Sequence, residues 1–200
     1  MLSRVHFSSD NSEWTTPQEL FNNLDDIFTF DLDAAATAEN SKCTLWLGPG
    51  SPIAEDAFSI DWKGTLFLNP PYGRSIKKWI EKAYMSSIEN DATVVCLLPA
   101  RPDTAWFQTC WKAPFICFIK GRLKFGNSEA PAPFPSCIVI FSKNLENNMD
   151  VSFLSGEGAV VRTIWPYNPI DRIRYDWLRD HKEQVQEYLA HIAKAEKETL

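Results

Sequence analysis

Four consecutive residues, Asn69-Pro70-Pro71-Tyr72, combine a side-chain amide, a stiff backbone and an aromatic ring, directly after the apolar triplet Leu66-Phe67-Leu68. Two adjacent prolines continue neither a sheet ladder nor a helix, so the chain must leave a strand here. The Asn69 side-chain carbonyl and the Pro70 carbonyl offer two acceptors on a fixed frame. Such a pair suits an amine whose lone pair is delocalised, such as the exocyclic amine of adenine. Accepting both N–H hydrogens favours a pyramidal nitrogen with a usable lone pair, a preorganised charge stabilisation that replaces a general base. Tyr72 would stack on the base, which must first leave the duplex. The bland alternative is a rigid turn at a strand end, and a glutamine amide or an RNA adenine would fit the same logic.

The elements that must position this loop are legible around it. Thr16 to Glu19 has the form of a capping box with Pro17 at the first helical position. Leu20, Phe21, Leu24, Ile27 and Phe28 then recur at helical spacing. Residues 28–33 (FTFDLD) alternate like a short strand, and 48–57 form a Gly- and Pro-rich loop. A strand at 65–68 leads into the Asn69 loop, and an amphipathic helix after Ser75 turns Ile76, Trp79, Ile80, Ala83, Tyr84 and Ile88 inward.

Residues 93–98 (TVVCLL) form a continuous apolar run, the mark of a strand buried on both faces. A short helix at 104–111 and strands at 115–119 and 137–141 follow, with a further edge strand at 160–165. Strands alternating with helices imply an α/β, mostly parallel sheet whose closing strand pair is antiparallel, since no helix separates the two runs. The expected domains are a loose arm at 1–13, a catalytic domain at 14–167 and a charged helix at 168–200.

Bulk properties narrow the setting. The chain has 200 residues, 44% of them hydrophobic and 23% charged, enough for one cored soluble domain. No stretch approaches the ~18 apolar residues of a membrane-spanning helix. The opening residues lack an apolar core of signal-peptide length, so the expected compartment is the cytoplasm. Five cysteines form no CxxC pair, and Cys96, Cys117 and Cys137 sit in apolar runs, so neither a metal site nor a disulfide framework is expected. The formal charge of −6 does not announce a nucleic-acid binder. Acidic residues crowd the first 61 positions, however, while basic ones gather at Arg74, Lys77, Lys78 and Lys82 and at Lys120, Arg122 and Lys124. That asymmetry permits one cationic face on an acidic protein.

Six separated segments resemble the phage DNA N-6-adenine methyltransferase family, in the family's order. They are Glu13 to Pro17, Phe30 to Ala36, Asp61-Trp62, Asn69 to Tyr72, Leu97 to Arg101 with Asp103-Thr104, and Gly121 to Phe125. The resemblance implies a Rossmann-like methyltransferase sheet, S-adenosyl-L-methionine as donor, adenine in double-stranded DNA as acceptor, and a phage or prophage origin. It further implies that Trp14, Thr16 and Pro17 close over the donor, and that the turn Asp33-Ala34-Ala35 holds its methionine part. Physically, Asp33 could pair with an ammonium, and the small alanines allow close backbone approach.

The chain departs from the broader methyltransferase pattern in having Ala34-Ala35-Ala36 where a Gly-rich loop is usual. Asp33 and Asn69 are also too close in sequence for two further βα units at ~30 residues each. The sheet is therefore expected to be trimmed, with Asp61 as a candidate for the donor's adenine end. Arg74, Lys77, Arg101, Arg122 and Lys124 are the candidate DNA contacts, since Arg101 and Arg122 follow apolar strands and should share an edge with Asn69. Two competing readings remain: the same chemistry on RNA or protein, and a non-catalytic DNA-binding derivative of the fold.

Overall fold

A computed structural model describes residues 14–126, 128, 130–143 and 158–162. The expected arm at 1–13 and the expected helix at 168–200 lie outside these residues.

The chain runs α1 (Gln18–Phe28), β1 (Leu32–Asp33), β2 (Thr65–Leu68), α2 (Ile76–Glu89), β3 (Thr93–Pro99), a 3-10 helix (Trp106–Lys112), β4 (Phe115–Ile119), β5 (Ser136–Phe141) and β6 (Gly158–Arg162). The six strands form one sheet in the order β1-β2-β3-β5-β4-β6. β1, β2 and β3 are parallel, whereas β5 is antiparallel to both β3 and β4, and β6 is antiparallel to β4.

The antiparallel pairing of the last two apolar runs follows the sequence, but the expectation of a mostly parallel sheet is corrected. β5 inserts between β3 and β4 rather than extending the edge, so it contributes two antiparallel seams. Because β4 opposes β5 and β5 opposes β3, strands β1 to β4 still point the same way. Their carboxyl ends share one edge of the sheet.

Side-chain alternation explains how both faces are covered. Leu66, Leu68, Val94, Cys96 and Leu98 face α2 and the 3-10 helix in one core cluster. Phe67, Val95 and Leu97 face Leu20, Phe21 and Leu24 of α1 in the other. The apolar run of β3 is thus the signature of a strand roofed on both sides. Fully burying a ring such as Phe67, which is 1% exposed, contributes about 1.5–3 kcal/mol.

Residues 34–64 contain no helix or ladder strand, as the short spacing between Asp33 and Asn69 requires. The segment lies against the outer edge of β1 through the isolated bridge Asp33 to Trp46, and a second bridge, Leu47 to Ala54, joins two parts of the segment itself. Only Leu32 and Asp33 of the expected 28–33 strand are extended in the sheet. α1 continues to Phe28 and stops where Thr29 turns left-handed (φ 52°).

Candidate active site

Alternation along β2 decides where Asn69 goes. Phe67 faces the α1 side, so Asn69, two residues on, faces the same side, beneath the segment that precedes α1. There its Nδ2 donates to the backbone oxygen of Trp14 at 2.6 Å and to Thr16 Oγ1 at 3.0 Å. The Trp14 carbonyl can only accept, so the amide nitrogen must lie on that side. Asn69 Oδ1 is consequently turned the other way, buried and without a hydrogen-bond partner. Leaving an acceptor in that state costs about 1–3 kcal/mol, a strain that points to a missing donor.

A pocket of about 330 Å³ opens beside this amide, within the usual range for small-molecule sites. Trp14, Thr16, Asp33, Ala35, Asn69, Pro70 and Pro71, all singled out from sequence, line it. Asp33 ends β1 and is 3% exposed. Its carboxylate accepts the backbone N–H of Ala35 at 3.3 Å and that of Lys42 at 3.0 Å. Burial pushes its carboxyl up to about 6, against the opposing pull of those two N–H groups and the Lys42 charge. A buried carboxylate with unspent acceptor capacity, facing a pocket, favours a cationic ligand group.

The remaining wall was not legible from sequence. Leu47, Gly48, Pro49 and residues 55–58 form it, with Trp79 from α2. Gly48 has φ +138°, and a Cβ there would collide with the carbonyl oxygen of Ala36. Only glycine lets this loop approach the Ala35-Ala36 turn so closely. The Gly-Pro-Gly run at 48–50 was the available signal. Phe58 and Trp79 meet at 4.5 Å between ring centroids, and Lys78 Nζ lies 3.8 Å from the Phe58 ring.

Several expected site residues lie elsewhere. Asp61 is exposed and outside the pocket, because its neighbour Trp62 is the anchor, wholly buried with Nε1 donating to the Ala57 carbonyl at 2.8 Å. Asp56, on the same loop, lines the pocket instead. Ala34 is also not a pocket residue. Its N–H bonds to the Phe67 carbonyl at 2.8 Å, which turns its side chain into the core. Pro17 sits beside the pocket as the N-cap residue of α1, and no side-chain cap bond forms there. The expected capping box is thus absent, its Thr16 hydroxyl being engaged with Asn69.

Tyr72 is half-buried next to the pocket. Its hydroxyl donates to the Leu97 carbonyl at 3.2 Å, and its ring meets Phe134 and Phe125 edge-on at 5.7 and 6.3 Å. Trp14 packs edge-on against the same two rings at 5.1 and 5.4 Å. Of the candidate DNA contacts, Arg74, Lys77, Arg122 and Lys124 are exposed and Arg101 is half-buried. Arg101 follows β3, and Arg122 and Lys124 follow β4, so they share the carboxyl edge with Asn69. None lines the pocket.

The family model of DNA N-6-adenine-methyltransferase (Dam) matches residues 5–159. A DNA N-6-adenine-methyltransferase of Haemophilus phage HP1 is 32% identical over 126 residues, 60% of this chain and 70% of the relative. A protein of the same name from Escherichia phage T1 is 35% identical over 101 residues, 47% of this chain and 38% of the relative.

Proposed function

The chain belongs to the DNA N-6-adenine-methyltransferase (Dam) family, and from that premise we propose that it transfers a methyl group from S-adenosyl-L-methionine to the N6 amine of adenine in double-stranded DNA. The observation that carries this reading is the Asn69 amide: its nitrogen is committed to Trp14 and Thr16, and its buried oxygen has no donor.

The pocket's residues fit the donor. Asp33 presents a buried carboxylate suited to the ammonium of the methionine part, while Ala35, Ala36 and Gly48 supply a close backbone cradle. Glu55 and Asp56, rather than Asp61, are the acids on the wall that includes Phe58 and Trp79. When bound, the donor supplies an electrophilic methyl on a sulfonium.

Everything else falls to side chains of this chain. Asn69 Oδ1 and the Pro70 carbonyl accept the two hydrogens of the incoming amine, and so hold its lone pair available. Tyr72 offers a ring to the flipped base. Asn69 Oδ1 is buried and unpartnered, so a hydrogen donated by the incoming amine would satisfy it.

The test is to incubate the purified chain with methyl-labelled S-adenosylmethionine and duplex DNA, RNA or protein in parallel, then digest and analyse the products. The reading expects N6-methyldeoxyadenosine from duplex DNA. Label confined to RNA or to glutamine would transfer the activity to those acceptors. Donor binding with no product in any arm would leave only the non-catalytic derivative.

A further inference from the structure

We infer that Thr16 is a positioning residue: its hydroxyl, with the Trp14 carbonyl, orients the Asn69 amide so that Oδ1 faces the acceptor amine. This rests on the activity proposed above, but it assigns Thr16 a role other than contact with the donor.

Three observations lead to it. Thr16 is 4% exposed and stands where a threonine usually caps a helix, yet α1 takes Pro17 as its N-cap and receives no side-chain cap bond. Its oxygen is instead 3.0 Å from Asn69 Nδ2, which also donates to the Trp14 carbonyl at 2.6 Å. A primary amide has two N–H donors, and these two acceptors occupy both. With both spent on one side, the amide cannot rotate by half a turn without setting Oδ1 against the Trp14 carbonyl. The orphaned Oδ1 is the counterpart of that arrangement.

The segment carrying these acceptors is itself held from a second direction. The Thr15 carbonyl accepts the N–H of Gly126 at 2.7 Å, and the Trp14 ring packs edge-on against Phe125 and Phe134. Residues 14–16 are therefore clamped between the catalytic loop after β2 and the loop after β4. The orientation of one amide depends on contacts made by both.

The experiment compares Thr16→Val, which keeps the shape and removes the hydroxyl, with Thr16→Ser, which restores an oxygen. Three quantities are read: turnover on duplex DNA, donor affinity by calorimetry, and the Asn69 side-chain amide signals in 15N–1H spectra, assigned through their loss in Asn69→Ala. Thr16→Val should displace the Asn69 amide signals and lower kcat about tenfold, the rate equivalent of one hydrogen bond, with donor affinity kept. Thr16→Ser should recover most of the turnover. Unmoved Asn69 signals in Thr16→Val would overturn the inference, and so would a loss residing wholly in donor affinity. If Thr16→Val does not fold, Thr16→Cys against Thr16→Ser carries the same comparison, because a thiol is a weak acceptor. Wild-type protein that methylates no DNA would overturn the proposed activity, while the amide signals still read the tether directly.

Discussion

The carboxylate of Asp33 accepts the backbone N–H of Lys42, nine residues further on, at 3.0 Å. That bond, with the 3.3 Å bond to Ala35, pins both ends of the turn that leaves β1. Asp33 is thus a fastener of the pocket floor as well as a charge in it. Exchange for alanine would confound the two roles by stranding both N–H groups. Asparagine keeps the size and one acceptor while removing the charge.

Donor binding should depend on pH through Asp33. Its carboxyl titrates at about 6 in the folded, ligand-free protein because burial disfavours the charge, and an ammonium prefers the ionised form. Affinity for S-adenosylmethionine should therefore fall as pH drops through about 6. In Asp33→Asn that step should vanish, with affinity lower by about 1.5–3 kcal/mol above pH 6, the worth of a charged hydrogen bond, and converging on the wild type as pH falls below it. Stability should run the other way. A carboxyl raised from 3.8 to about 6 binds more protons folded than unfolded, so its contribution is fullest below 3.8 and is lost as pH rises through about 6. Calorimetric titrations and melting curves of both proteins from pH 4.5 to 7.5 check both signs. A wild-type affinity flat across pH 6 would remove Asp33 from the donor site.

Asn69→Ala should abolish methyl transfer while leaving donor affinity nearly unchanged. Its nitrogen is spent within the protein and its oxygen is left without a donor, which on the proposed chemistry the acceptor amine supplies. Near-normal turnover in this variant would sink the assigned chemistry. Asn69→Asp should fare little better, because a carboxylate oxygen would then face the Trp14 carbonyl, two acceptors with no hydrogen between them.

Gly48→Ala should damage the donor pocket specifically. The added methyl meets the Ala36 carbonyl at a φ of +138° that other residues rarely adopt. The strain is about 1–3 kcal/mol, and the loop must retreat from the Ala35-Ala36 turn. Lower donor affinity together with a lower Tm is expected, whereas Gly50→Ala, with open space around its Cβ position, should show only the backbone strain of its φ of +73°. Equal donor affinity in both variants would mean that the close approach at Gly48 has no part in binding.

What was legible in the sequence follows from the range of the interactions involved. β2, α2, β3, β4 and β5 were readable because each is an apolar pattern bounded by punctuating residues, and Asn69 because two prolines force the chain out of the sheet. Thr16 shows the limit. Thr-Pro-x-Glu satisfies a local rule for capping, and nothing local reveals an amide arriving from 53 residues away to claim the hydroxyl. Asp61 fails for a related reason. Proximity to β2 in sequence suggested the pocket, but burying the large ring of Trp62 fixes the local chain and leaves Asp61 in solvent. The wall built from Leu47, Gly48 and residues 55–58 has no periodicity to read, because it is held by isolated bridges and by turn and side-chain hydrogen bonds.

DNA binding by a chain of net charge −6 must rely on a local basic surface. The shared direction of β2, β3 and β4 brings the loops bearing Arg74, Arg101, Arg122 and Lys124 to the edge that carries Asn69, and Lys77 lies in the first turn of α2 just beyond. Among the described residues Lys77 pairs with Glu81, at 3.6 Å, and both side chains are more than half exposed, so the pair is a weak competitor for a phosphate. If Lys77 and Lys124 meet phosphates, replacing either with alanine should weaken binding to all duplexes alike. Each replacement should also reduce the slope of log affinity against log salt by about one. An arginine that reads a guanine edge behaves differently: Arg101→Ala or Arg122→Ala should relax discrimination at one base pair by ~1–3 kcal/mol. Salt titrations of duplex binding for the four single variants separate these roles, since a phosphate contact changes the slope and a base contact changes the sequence dependence. Unchanged slopes for both lysine variants would place the DNA on another face of the protein, leaving the edge around Asn69 to receive the flipped base alone.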